Sequence, residues 1–191
     1  MRVLGIDGGI VNVGICVLND GHIDLIKADS ISPSQKPTTA ELSALTARWV
    51  CLRAEEWGLE TVDLVVVESV IRAKIQSVGV CIVAAIVAWR LSHGLEVPRI
   101  MMKSGRSKFS LNPCLQAAAA VARGKVGYHD RKSLSVQFCH TVWAETTDLG
   151  PDPCDALLLA LAGLSSMPKS KVNAESAVAL RLCKDAHVEF S

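Results

Sequence analysis

Residues 5–18 read GIDGGIVNVGICVL, and the parsing of this stretch decides the fold. An apolar run carries an aspartate, Asp7, to the edge of a Gly8-Gly9 pair, and a second apolar run begins shortly after. Residues 2–7 and 12–18 have β-type patterning, and Asn19-Asp20-Gly21 is a hairpin signal leading into residues 22–31. Three strands in an antiparallel meander are the expected result. A carboxylate close to a core is costly unless it is paired or holds a metal. The glycines could form a bare turn, a phosphate loop or a gap for a substrate backbone, and only the rest of the chain can choose.

Outward from this meander, Ser32–Pro37 reads as a loop and Thr38-Thr39-Ala40-Glu41 has the form of a capping box. Leu42, Leu45, Trp49 and Leu52 then recur at helical spacing up to Gly58. Val62–Val70 (VDLVVVESV) is nearly continuous in β-branched residues, as expected of a strand covered on both faces. A helix over about 75–91 is apolar nearly all round, so it is either buried or part of a subunit interface. Residues 97–102 read as a strand, 103–113 as a loop, and 114–123, 131–144 and 153–164 as helices. The order predicts an α/β fold: a mixed sheet, the meander plus parallel strands, flanked by helices. One domain over 1–166 is expected, followed by a tail, 167–191, that is helical or disordered.

Composition narrows the class. Half of the 191 residues are apolar and the net charge is +1, which argues against wholesale disorder. Met1-Arg2 runs straight into Val3-Leu4 without a secretory leader, and the longest apolar run, Val78–Trp89, is too short to span a bilayer. Seven cysteines without CxxC spacing point to reduced thiols in a cytoplasm-like compartment and to no zinc site. The charge is unevenly placed: residues 99–132 carry eight basic side chains and one acid, Asp130, leaving the remainder at −6. Such a segment suits either a solvated face or a polyanion such as nucleic acid.

Four acids adjoin strongly apolar elements: Asp7 at the first strand's end, Glu68 late in VDLVVVESV, and Asp152 and Asp155 in DPCDALLLALA. Each has a plain structural reading. Asp152 before Pro153 would be a good N-cap, and Asp155 suits the positive end of a helix dipole. As a set, two acids at strand ends and two at a helix start can converge at one sheet edge. Clustered carboxylates raise one another's pKa, and divalent cations relieve this. Two such ions about 3.5–4 Å apart are an apparatus for phosphodiester cleavage.

At these residues the chain resembles the RuvC-type Holliday junction resolvases of the RNase H-like superfamily. GIDGGIVNVGICVL is similar to that family's first strand-turn-strand, ESVIRAK (68–74) to its glutamate motif and GVCIVAA (79–85) to the helix that follows. GKVGYHDRK (124–132) resembles its glycine-rich stretch and DPCDALLLALA its DxxDAL helix. The resemblance covers roughly residues 2–164 and implies an RNase H-like nuclease that cuts four-way DNA junctions symmetrically, as a homodimer, leaving ligatable nicks. It implies Asp7, Glu68, Asp152 and Asp155 as ligands of two Mg²⁺ ions, with Mn²⁺ as a substitute, and a catalytic lysine at Lys132, with Arg131 as the alternative. Arg72, Lys74, Lys103, Arg106, Lys108, Lys125, Arg131 and Lys132 are the expected phosphate contacts.

Three departures stand out. Gly8 replaces the proline common after the first aspartate, Ile71 stands where bacterial members carry an aromatic, and residues 101–113 fit poorly. Two other classes compete. Actin-like and sugar-kinase ATPases share an Asp-Gly turn but need two subdomains, more than this length supplies. A ribonuclease H-like enzyme acting on RNA, an RNA–DNA hybrid or simple duplex would need the same four acids.

Overall fold

The computed structural model describes residues 1–32, 37–69, 73–122 and 128–190, with 39, 73–77, 121, 122 and 128–131 described by backbone alone. Its elements begin with the meander β1 (Arg2–Asp7), β2 (Val13–Asn19) and β3 (His22–Asp29). Then come α1 (Thr39–Trp57), β4 (Leu64–Ser69), α2 (Ala73–Ser92) and β5 (Arg99–Ser104). A 3-10 turn over Ser107–Leu111 leads into α3 (Pro113–Ala122), α4 (Tyr128–Val142), α5 (Pro151–Ser165) and α6 (Ala174–Asp185).

The sheet order is β3-β2-β1-β4-β5. β1 pairs antiparallel with β2, and β2 with β3, whereas β1–β4 and β4–β5 are parallel. This is the mixed sheet expected from the pattern. Alternation of side chains across each strand divides the core in two. Leu4, Ile6, Val65 and Val67 face α1 and α2, while Val3, Leu64 and Val66 face α5 and its neighbours. Thr38 caps α1 in a reciprocal capping box with Glu41, and Gly58 ends it in the left-handed conformation, as the sequence signals indicate.

Helix α2 buries Val78, Ile82 and Ile86, and leaves Val80 and Leu91 exposed along its outer side. Arg90 closes the inner side by donating to the carbonyls of Leu59, Val62 and Glu96. The segment expected as a tail contains α6, which buries Ala179 and Cys183 in the α5-side core. Asn112 ties its end down, with Nδ2 donating to the carbonyls of Cys183, Lys184 and Ala186 at 2.9, 3.1 and 2.8 Å.

Helix α5 lies so close to β2 that a Cβ on Gly14 would stand 1.8 Å from the Asp152 carbonyl oxygen. Only glycine lets the start of α5 reach the meander. Gly14→Ala is expected to cost about 3 kcal/mol, the upper part of the usual overpacking range, because the obstacle is backbone and cannot swing aside. A thermal melt checks this, with an unchanged melting temperature as the contrary outcome.

Candidate active site

The sheet register alone brings two of the acids together. Gly5 pairs with Val66 and Ile6 with Val67, so Asp7 and Glu68 stand one step further on neighbouring parallel strands. With side chains alternating, both fall on the face that carries Val3 and Val66, the face covered by α5. The carboxyl ends of parallel strands are where open α/β sheets form their sites. Asp7 is buried and its carboxyl shares a hydrogen bond with Glu68. Gly105 leaves room beside Glu68, since a Cβ there would stand 2.2 Å from Glu68 Oε1 and make that carboxyl shift.

The other two acids arrive on α5. Its N-cap is Gly150 and Pro151 opens the helix, so Asp152 lies inside the first turn. This corrects the expectation of an Asp152 N-cap: Pro151, with its fixed φ, already supplies the helix start. Asp152 is therefore free to pair with Lys132, which also stands 3.5 Å from Asp7 Oδ2 and 3.8 Å from Asp155 Oδ2. Asp155 is fully buried, and Lys108 Nζ reaches its Oδ2 at 2.5 Å.

Lys108 is the feature that sequence reasoning placed differently. Expected among the phosphate contacts, it is buried beneath the acids, with its ammonium 5.5 Å from the Phe109 ring centre. Lys103, half-buried, donates to Ser166 Oγ at 2.6 Å, and Arg106 is exposed. Arg72 and Lys125 lie outside the described residues, as do Ile71 and the side chains of Lys74 and Arg131. In the opening turn a Cβ on Gly9 would collide with the Asn12 carbonyl at 2.2 Å, whereas one on Gly8 would meet open space. Gly9 makes the turn; Gly8 leaves room beside Asp7.

The electrostatics follow from burial. Burial and the neighbouring Glu68 push the Asp7 carboxyl up to about 8, against a smaller pull from Lys108 and Lys132. Burial also raises Asp155, with Lys108 pulling it back and Asp7 pushing it further up. Burial works against the ammonium of Lys108, but Asp155, Asp7 and Glu68 outweigh it and hold the group above its ordinary value. Lys132 is raised in the same way by Asp7, Asp152 and Asp155. We read Lys108–Asp155 as ionic, since an ammonium so held has no reason to release its proton to a carboxylate 2.5 Å away.

A pH dependence follows. Asp7 has a folded-state value of about 8 against an ordinary 3.8. Its contribution to stability is complete below the ordinary value and is lost as pH rises through the folded one. The metal-free protein is expected to lose on the order of 4 kcal/mol between pH 5 and 8.5. Urea melts at both pH values check this, and an Asp7→Asn variant should not show the loss.

Among the described residues, no three acid, histidine or cysteine side chains form a ready-made metal cage, because two ammonium groups lie between the carboxylates. The donor set nevertheless suits a hard cation: every donor is an oxygen, and Asp7 and Glu68 share a position that a divalent ion could take in place of the proton.

No family profile matches the sequence, and no curated protein does. The structure is similar to that of T. thermophilus RuvC in complex with a Holliday junction substrate, at a TM-score of 0.52 and 17% identity, over 85% of this chain and 91% of the other. It is also similar to the yeast mitochondrial Holliday junction resolvase, at a TM-score of 0.55 and 14% identity, over 94% of this chain and 80% of the other. Over most of both chains, the structure has the fold of the RuvC-type Holliday junction resolvases.

Proposed function

We propose that the protein is a divalent-metal-dependent endodeoxyribonuclease that resolves four-way DNA junctions. The observation that carries the reading is the convergence of Asp7, Glu68, Asp152 and Asp155 with Lys132 at one end of a RuvC-like sheet. A Mg²⁺ or Mn²⁺ ion bound by Asp7 and Glu68 would supply a nucleophilic water and screen the phosphate charge. Lys132, only partly buried at the mouth of the cluster, takes a non-bridging phosphate oxygen. Gly8 presents no side chain to the approaching strand. The water oxygen bonds to phosphorus and the bond to the 3′ oxygen breaks. One water proton passes to the departing 3′ oxygen, the other stays on the new 5′ phosphate or leaves to solvent, and the nick can be religated.

Paired cuts need two such sites in fixed relation, which a two-fold dimer provides for a near two-fold substrate. The exposed side of α2, with Val80 and Leu91 uncovered, is the proposed dimer face. No helix of the described residues is long and apolar enough to cross a membrane.

Labelled four-way junction, duplex, flap and RNA–DNA hybrid, each offered with Mg²⁺ or Mn²⁺, form the test. Selective, symmetric cutting of the junction is the expected result, and preference for the hybrid overturns it. Val80→Glu combined with Leu91→Glu should give a monomer by sedimentation and uncouple the two cuts. A dimer surviving both substitutions would place the interface elsewhere.

A further inference from the structure

β5 leaves the sheet beside the acid cluster. Its Lys103 stands opposite Glu68 in the strand register, and Gly105 comes two residues later. A Cβ on Gly105 would be 2.2 Å from Glu68 Oε1. One bond and one Cα–Cα step of about 3.8 Å further on, the Arg106 Cα lies within about 8 Å of that oxygen. Across the sheet the order is then Asp152 over Gly14 of β2, Asp7 on β1, Glu68 on β4 and Arg106 just past β5. Lys132 closes this row at the Asp152 end, and Arg106 stands at the other.

The cations at the site are unequal. Lys103 donates to Ser166 Oγ, Lys108 is buried on Asp155, and Lys132 serves the acids. Arg106 is exposed, and among the described residues its guanidinium has no ion pair and no hydrogen bond. The backbone that carries it is nevertheless pinned. The Arg106 carbonyl accepts from Phe109 N at 3.2 Å, and Ser107 Oγ donates to the Ser104 carbonyl at 2.7 Å. Phe109 is buried, the Lys108–Asp155 pair anchors the turn from below, and Asn112 fastens its far end to the carbonyls of Cys183 and Ala186. An unengaged planar fork on a fixed turn suits a phosphate that must be held in one place.

We propose that Arg106 is the positioning residue that sets the register of the cut: its guanidinium grips the phosphate next to the scissile one, on the β5 side, and so decides which phosphodiester lies over Asp7 and Glu68. The inference rests on the nuclease reading above and specifies how that site takes its substrate. With Lys132 on the scissile phosphate, the two cations hold neighbouring phosphates from opposite ends of the acid row. A phosphate contact far from the chemistry adds affinity alone. One this close also fixes the reacting geometry, where a displacement of about 1 Å costs on the order of 10²-fold in rate.

The test reads position as well as rate. Arg106→Gln changes an exposed, unpaired side chain and should melt as the unmodified protein does. On a four-way junction with Mg²⁺ it should spread the cuts over neighbouring phosphodiesters and lower the single-turnover rate at saturating protein by about 10²-fold. Junction affinity should fall only a few-fold, with the slope of log K against log salt smaller by about one. A single methylphosphonate that removes the charge of the flanking phosphate should slow the unmodified protein by a similar factor and leave Arg106→Gln no slower. Weaker binding with unchanged cut positions and unchanged saturating rate makes Arg106 an ordinary phosphate contact; it overturns the inference and leaves the proposed function standing. No loss from a methylphosphonate at either flanking phosphate, measured on the unmodified protein, does the same. If the unmodified protein cuts no junction under any divalent ion, both readings fall.

Discussion

Asp7→Asn is expected to abolish junction cleavage while leaving junction binding within a few-fold and making the metal-free protein more stable. The two effects have one cause. Asp7 is buried against Glu68, and in the absence of a cation its carboxyl is held up to about 8. An amide of the same shape keeps a hydrogen bond to Glu68 and removes the desolvated charge, so the folded state gains. The same amide cannot balance a divalent ion. Losing that ion forfeits several kcal/mol of charge stabilisation in the transition state, on the order of a 10³-fold loss in rate. Binding survives because junction affinity rests mainly on phosphate contacts outside the acid cluster. Gel-shift, single-turnover cleavage and a thermal melt on one preparation suffice. Cleavage within tenfold of the unmodified protein would remove Asp7 from the mechanism.

Lys108→Ala should produce the largest loss of stability. It strands the Asp155 carboxylate, 1% exposed, without the ammonium that stands 2.5 Å from it. Removing one partner of a buried pair typically costs about 3–5 kcal/mol, chiefly the penalty of the charge left behind. In a chain of this size that corresponds to about 10 °C in melting temperature. Adding Asp155→Asn to Lys108→Met should restore more than half of the loss, because the pair is then absent altogether. Additive losses in the double variant would mean that the two groups do not depend on each other. The pair would then be incidental.

Several features of the structure were readable in the sequence because local rules govern them. The Thr38 capping box and the Gly58 stop follow from backbone hydrogen bonding within one turn. The meander follows from period-two patterning and the Asn19-Asp20-Gly21 turn. The acids were recognisable as a group because each interrupts an apolar element, where a charge needs a reason. Lys108 was not, since it lies in a segment without periodicity and lysine is ordinarily a surface residue. Its burial depends on α5, which packs over this turn from about forty residues further along the chain. The roles of Gly14 and Gly105 were hidden for the same reason, as each is defined by an atom of another element. The tail looked weak because α6 has a single buried stripe and gains its stability from Asn112 and the α5-side core.

The path of α5 across the sheet has a consequence for biosynthesis. It carries Asp152 and Asp155 to a site begun by Asp7 at the opposite end of the chain, and its own packing is completed by α6. Pairings of such sequence separation are slow to form, and here they wait on elements that emerge from a ribosome well after the meander. The nascent chain can therefore form the β1–β3 meander early and still lack the assembled acid cluster. On the proposed function, its power to cut DNA switches on only after α5 and α6 have been made and packed.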